Sequence, residues 1–532
     1  MAICISATAQ VSHGGSPRLN HSGAKVTAAT HTLPAIDRET LLREDAGTTR
    51  MGNPMRVGVI QYDRIDLLTE ASVTKNADGT HYLLAVTSPE AIALGLHFSE
   101  FRLADGAELF IYDESGDFVI GSYRADDVME DGTFYTQSIP GSTVFVEYNV
   151  PAGVAPGSIV IDNVCHRYKE FSARQDMNQE PEAKGPHGSA QGSCHPNVIC
   201  PEGDGWRKEI RSEVAIEMRA SYYAFMCSGT LVNNARQDRT PYVLSANHCQ
   251  SQGTITQIVC YFLYETSTCT GSTGTSNLSV TGAKTLAKKD ENNGSDFWLM
   301  RLNSDIPDSY QPYYAGWNNQ DVTPEPGMAI HHPGGDYKKL SIPEQVNRRT
   351  DDYRDFWVVR WLQQDNKGVT EEGSSGSGLF DADHHLVGTL TGGYSYCSAV
   401  QGLDYYGRFD VSWSRGSDST NSLRSWLDPD NTGITVLDGL DSPTSGIEPT
   451  PAAPRTLQLY PNPTGGTVHF DIDAIGDANY KVYDLNGRCV REGRTVLTAT
   501  TQGLDLHGLA VGTYVLNLYT ASGNWTAKVV VK

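Results

Sequence analysis

Between residues 57 and 165 one pattern recurs: an apolar run of five to seven residues, then a turn. The runs are Val57-Gly-Val-Ile-Gln61, His81-Tyr-Leu-Leu-Ala-Val86, Glu108-Leu-Phe-Ile-Tyr112, Ser142-Thr-Val-Phe-Val-Glu-Tyr148 and Ser158-Ile-Val-Ile-Asp162. Runs this short suit strands better than helices, and their regular spacing predicts a β-sandwich. The rhythm returns over 193–441 and over 457–532, and the 52 glycines and 25 prolines supply the turns. The expected fold is therefore all-β, with one exception. Asn421-Ser-Leu-Arg-Ser-Trp-Leu427 has the apolar spacing of a short helix. Polar stretches divide the chain: 170–192, with Pro181, Gly185, Pro186 and Gly188, and the Pro-rich tether 441–454.

Lys and Arg number 41 against 63 Asp and Glu, a formal charge of -22. Such a chain has no electrostatic footprint for nucleic acid or an anionic membrane. No segment reaches the roughly 18 apolar residues that span a bilayer. Ala7-Thr8-Ala9 before Gln10 resembles the small-residue end of a signal peptide, so residues 1–9 read as the remnant of one. A charged start and a full apolar stretch are missing from it. Seven of the ten cysteines lie between 194 and 397, with no CxxC pair and no zinc spacing. In an exported chain this predicts disulfides rather than a metal, with at least one thiol left over in that region.

Three segments of 193–441 carry the residues of nucleophilic catalysis. They are Tyr242-Val-Leu-Ser-Ala-Asn-His248-Cys249, Gly294-Ser-Asp296-Phe-Trp-Leu-Met-Arg-Leu302 and Glu372-Gly373-Ser374-Ser375-Gly376-Ser377-Gly378. A serine hydroxyl needs a neutral imidazole to take its proton, and the imidazole needs a carboxylate to fix its tautomer. His248 follows an apolar strand, Asp296 opens another, and Ser375 lies in a turn with little bulk around it. The Gly373 and Ser375 amides are placed to form an oxyanion hole. The order His, Asp, Ser differs from that of subtilisin-like chains and α/β-hydrolases. The opposing reading is a catalytically idle adhesin or binding module on a protease fold, which would need none of these residues.

Residues 190–441 resemble the bacterial lysyl endopeptidases, a branch of the trypsin-like serine proteases. The resemblance rests on Gly192-Ser-Cys-His-Pro-Asn-Val-Ile-Cys-Pro-Glu-Gly203, Ser228-Gly-Thr-Leu-Val-Asn-Asn234, Ala246-Asn-His-Cys249, Ser295-Asp-Phe297, Ala329-Ile-His-His-Pro333, Gly368-Val-Thr-Glu-Glu-Gly-Ser-Ser-Gly-Ser377 and Tyr406-Gly-Arg408. It implies two packed β-barrels with the triad between them. It also implies disulfides Cys194–Cys397, Cys200–Cys269 and Cys227–Cys249, leaving Cys260 as a buried thiol. Trypsin keeps its specificity carboxylate six residues before the nucleophile, where this chain has Val369. The lysyl endopeptidases use an Asp just before Tyr-Gly-Arg, which here is Asp404. Leu390-Thr391-Gly392-Gly393 then edges the P1 pocket, and Thr391 stands where the family carries a His. The implied activity is cleavage after Lys, with Arg left open by Thr391. The pair His331-His332 points to opposite faces of a strand and makes a poor metal chelate. No cofactor is implied.

Leu459-Tyr-Pro-Asn-Pro463, Val482-Tyr-Asp-Leu-Asn-Gly487 and Gly512-Thr-Tyr-Val-Leu516 resemble the sorting domain read by the type IX secretion machinery. This implies a product secreted from a Gram-negative cell or held on its surface. The expected organisation is a signal remnant 1–9, a propeptide 10–184 and a protease domain 185–441. A linker 442–456 and a sorting domain 457–532 follow. The expected partners are peptide or protein substrates and the secretion machinery, and the matured protease is expected to be a monomer. Lys184-Gly185 is a bond such an enzyme cuts in itself, with Arg174 as the other candidate.

Overall fold

Side chains alternate across a strand, so each short run buries one row and must find a second layer to cover it. The computed structural model describes residues 15–21, 27–48, 54–129, 131–169, 194–271, 274, 278–291, 295–351, 354–364, 367–414, 416, 418–442, 455–457, 459–470, 476–483, 489–497, 502–520 and 523–532. The signal remnant, the 170–192 linker with Arg174 and Lys184, Gly294 and most of the Pro-rich tether lie outside them. The chain divides into two compact units, Met1–Pro443 and Thr444–Lys532.

The five N-terminal runs are the strands Met55–Asp66, Gly79–Thr87, Glu108–Asp113, Thr143–Pro151 and Ser158–Arg167. Two layers form. Gly79–Thr87, Thr143–Pro151 and Glu108–Asp113 lie in one sheet, while Met55–Asp66, Ser158–Arg167 and Ala93–Arg102 lie in the other. Leu84, Ile111 and Val146 of the first layer share a core with Leu94, Phe98 and Ile161 of the second. The second layer does not end at the sandwich. Met55–Asp66 pairs antiparallel with Tyr223–Val232, so one twelve-stranded sheet runs from the sandwich into the next barrel. The sequence presents these as separate modules, and the shared sheet is a feature it does not announce.

Two nearly closed barrels follow. The first contains Glu213–Arg219, Tyr223–Val232, Tyr242–Ser245, Gln257–Tyr261 and Phe297–Leu302. The second contains Pro326–His331, Arg354–Trp361, Gly378–Asp381, Leu386–Gly393 and Leu403–Arg408. Val232, Leu244 and Leu299 of the first share a buried core with Ile330, Phe380 and Leu386 of the second. The expected helix is present as Arg424–Leu427, and a second, Phe409–Ser414, follows directly on the strand Leu403–Arg408. The disulfides are Cys194–Cys397, Cys200–Cys269 and Cys227–Cys249. Cys260 is a buried free thiol whose pKa burial pushes up to about 12, and Cys165 is a second buried free thiol.

The C-terminal unit has seven strands among its described residues, in a five-stranded and a two-stranded sheet. Val468, Phe470, Val482, Leu516 and Val529 form its core.

Candidate active site

His248 lies in the tight turn Asn247–Gln250, directly after the strand Tyr242–Ser245. The Cys227–Cys249 bond ties this turn to the neighbouring strand Tyr223–Val232. Asp296 precedes the strand Phe297–Leu302 with φ +61°, a left-handed conformation in which Asp is among the tolerated residues. Such backbone strain persists where neighbours over-determine it, and here both carboxylate oxygens are engaged. The His248 amide donates to Asp296 Oδ1 at 2.9 Å and its Nδ1 donates to Oδ2 at 2.6 Å. That bond leaves Nε2 as the basic nitrogen, and Nε2 is buried with no protein partner.

The Ser375 turn comes from the second barrel and is fastened to the first. The Ser228 amide donates to the Ser375 carbonyl at 2.8 Å, and Cys249 Sγ lies 3.9 Å from that oxygen. Ser228 Oγ donates to the Gly373 carbonyl at 2.9 Å. Gly373 has φ +88°, and a Cβ there would sit 2.8 Å from the Gly335 amide nitrogen and 2.9 Å from the His332 carbonyl. Glycine is therefore required by both conformation and space. Among the described residues, the Gly373 and Ser375 amides donate to no protein acceptor.

Asp404 is fully buried on the strand Leu403–Arg408, opposite Gly393 of Leu386–Gly393. Its carboxylate accepts Trp361 Nε1 at 2.6 Å, Thr370 Oγ1 at 2.6 Å, the Ser395 amide at 3.1 Å and the Ser395 hydroxyl. All four donors are neutral, and no cation pairs with Asp404 among the described residues. Burial pushes its carboxyl above the ordinary value, against the pull of these donors. A Cβ on Gly393 would lie 1.8 Å from Asp404 Oδ1, so only glycine leaves the carboxylate its place. Gly407 plays a matching part, since its Cβ would meet the Ser295 carbonyl at 1.7 Å. The strand of Asp404 thus packs directly on the loop of Asp296.

Thr391 lies at a register shift: Leu390 faces Tyr406 and Gly392 faces Tyr405, with Thr391 bulged between them. Its hydroxyl is buried and makes no hydrogen bond. Val369 is buried, and its carbonyl accepts the Ser341 hydroxyl at 2.7 Å. Sequence reasoning missed the cradle of Asp404. Thr370 was within reach, lying in the Gly-Val-Thr-Glu run, but nothing local marks Trp361 or Ser395. His331 and His332 are both buried, and burial first of all pushes both rings below the ordinary imidazole value.

The family model "Lysyl endopeptidase, C-terminal domain" matches residues 188–407. Residues 188–407 are thus similar to the lysyl endopeptidases. This protease also carries a match to "Secretion system C-terminal sorting domain" over residues 458–532. A lysyl endopeptidase of Pseudomonas aeruginosa is 26% identical over 425 residues, 75% of this chain and 89% of that protein. Among solved structures, a thermostable serine protease from an extremophilic microorganism is 13% identical with TM-score 0.28, covering 38% of this chain and 92% of its own. The protease Anisep from Arthrobacter nicotinovorans is 16% identical with TM-score 0.29, covering 38% of this chain and 91% of its own. The protease is a serine endopeptidase with a type IX sorting tail, secreted or held at the cell surface.

Proposed function

We propose that the protease hydrolyses peptide bonds on the carboxyl side of Lys through an acyl-enzyme, with His248, Asp296 and Ser375 as its triad. Ser375 Oγ attacks the scissile carbonyl as His248 Nε2 takes its proton. Asp296, holding Nδ1, stabilises the imidazolium that forms. The Gly373 and Ser375 amides receive the oxyanion, and His248 returns the proton to the leaving amine. Water then repeats the sequence on the acyl-enzyme.

The observation that carries the Lys assignment is the Asp404 carboxylate, buried with neutral donors only. A buried charge without a counter-ion is costly, so a substrate ammonium is favoured there over neutral P1 groups. Thr391, Gly392 and Gly393 form the pocket edge, and without a ring at Thr391 the wall discriminates less firmly against Arg. Paired peptides with P1 Lys, Arg, Phe or Ala test this: Lys should be cut fastest, Arg next, and equal cleavage after Phe would reject Asp404. Ser375→Ala should reduce turnover to background, and persistence of activity would reject the triad.

Residues 10–184 are proposed as a propeptide removed at Lys184-Gly185 or at Arg174, leaving a protease domain 185–441, the linker 442–456 and the sorting domain 457–532. N-terminal sequencing of the mature protein tests the cut. A start upstream of residue 50 on the active species would reject it.

A further inference from the structure

The Ser375 turn is held from behind by groups that the triad does not use. Three positions of Ala329-Ile-His-His-Pro-Gly334 fasten three consecutive residues of the turn, Glu372, Gly373 and Ser374. The Gly334 amide donates to the Glu372 carbonyl at 2.5 Å. The His332 amide donates to Ser228 Oγ at 3.0 Å, and that hydroxyl donates to the Gly373 carbonyl at 2.9 Å. His331 reaches Ser374 with its side chain, 2.7 Å from Nδ1 to Oγ.

The direction of that last bond follows from its neighbours. Ser341 Oγ donates its proton to the Val369 carbonyl, so toward His331 Nε2, 2.8 Å away, it accepts. Nε2 therefore carries the hydrogen and Nδ1 is the bare nitrogen that accepts the Ser374 hydroxyl. Ser374 Oγ in turn accepts the Glu371 amide at 3.3 Å, and the Ser374 amide donates to the Glu371 carbonyl at 3.1 Å. Every polar atom of the His331 ring and of the Ser374 hydroxyl is used. Burial keeps the ring neutral, the only form that has an acceptor at Nδ1.

Ser374 separates Gly373 from Ser375, the residues whose amides donate to no protein group. Rotation of the Ser374 backbone would swing both. We infer that His331 is a positioning residue for acyl transfer: through its bond to the Ser374 hydroxyl it aims the Gly373 and Ser375 amides at the developing oxyanion. The inference rests on reading Ser375 as the nucleophile. Aim matters only when negative charge forms, so the effect falls on the chemical step and not on substrate capture.

The test uses the full mature protein, with active sites counted by titration, on a P1-Lys peptide. Ser374→Ala removes one hydroxyl and should lower kcat about tenfold to a hundredfold, the cost of a small misplacement. KM should stay within about twofold, since ground-state binding does not use the oxyanion donors. A peptide aldehyde ending in Lys, whose adduct carries the oxyanion, should weaken by the same factor as kcat. A non-covalent lysine analogue should bind as before. His331→Leu should match Ser374→Ala, and the double variant should fall no further. His331→Asn keeps an acceptor near Nδ1 and should recover most of the rate. Wild-type kcat and aldehyde affinity in Ser374→Ala overturn the inference, as does a loss confined to KM. Should His331→Leu fail to fold, Ser374→Ala decides alone. Turnover that survives in Ser375→Ala would instead reject the nucleophile, a separate outcome.

Discussion

At the scale of single residues, the buried Asp404 carboxylate, proposed to meet the substrate, and its neighbour Gly393 make the sharpest predictions. Asp404→Asn keeps the size of the side chain but removes the charge that a substrate ammonium would meet. Breaking a buried pair costs about 3–5 kcal/mol, so kcat/KM for Lys peptides should fall at least a hundredfold, with P1-Ala peptides little affected. Because burial raises the Asp404 carboxyl, it takes up a proton at higher pH than an ordinary carboxyl. The Lys-over-Ala preference should therefore decline on acidification before ordinary carboxylates titrate, which a pH series of kcat/KM ratios will read. Gly393→Ala drives a Cβ into Asp404 Oδ1 and should raise KM for Lys peptides. Glu213 supplies a stability test. It is fully buried beneath the turn, accepting Thr230 Oγ1 at 2.9 Å, and burial pushes its carboxyl well above the ordinary value. The unfolded chain ionises at the ordinary value while the folded chain keeps its proton, so stability from this group falls as pH rises. Glu213→Gln should raise the melting temperature at pH 8 and flatten its dependence on pH. The proposed triad of His248, Asp296 and Ser375 was readable because nucleophilic catalysis demands those types in a known order. Trp361 and Ser395 were not, since a hydrogen bond closed across distant strands leaves no local pattern.

At the scale of elements, the join between sandwich and barrel is the main addition. Met55–Asp66 lends its edge to Tyr223–Val232, and Met55, Val57 and Ile60 share a core with Ala224, Met226 and Tyr261. Charges are buried in the same contact. Glu217 accepts Arg219 Nε at 2.7 Å, Tyr261 OH at 2.9 Å, and from the sandwich Arg167 Nη1 at 3.2 Å and the Ser138 hydroxyl at 2.9 Å. Burial would raise the Glu217 carboxyl, but Arg219 and Arg167 outweigh it and bring it down to about 2. Its contribution is complete above the ordinary 4.5 and is lost as pH falls toward 2. Arg167→Met leaves Glu217 with a partner missing and should destabilise the uncut chain by about 3–5 kcal/mol in urea unfolding. Arg236→Met, whose pair with Asp430 is exposed, should leave the urea midpoint unchanged. The short runs of the sandwich were legible as strands. Their partner across the chain was not, because periodicity says which face is apolar and not what covers it.

At the scale of the whole molecule, the unit boundary between Pro443 and Thr444 falls in the Pro-rich tether that composition marks. A unit with its own core can be removed without unmaking the other. Deleting 457–532 should strand an active protease in the periplasm, measured by fractionation and P1-Lys hydrolysis. Normal export of the truncated chain would point instead to a binding module.

What the sequence determined by itself was the set of parts: strands of a given length, the residue types of the proposed triad in order, a cluster of cysteines and a tail set off by a Pro-rich tether. These are properties of neighbours along the chain, where spacing and residue type suffice. The tertiary structure alone decided how the parts are aimed. Asp404 became an isolated buried charge because four neutral donors from three other segments surround it. Two adjacent histidines without a catalytic pattern became supports of the Ser375 turn because a strand brings them behind it. Burial and hydrogen-bond direction depend on which atoms arrive from elsewhere, and no local pattern encodes that.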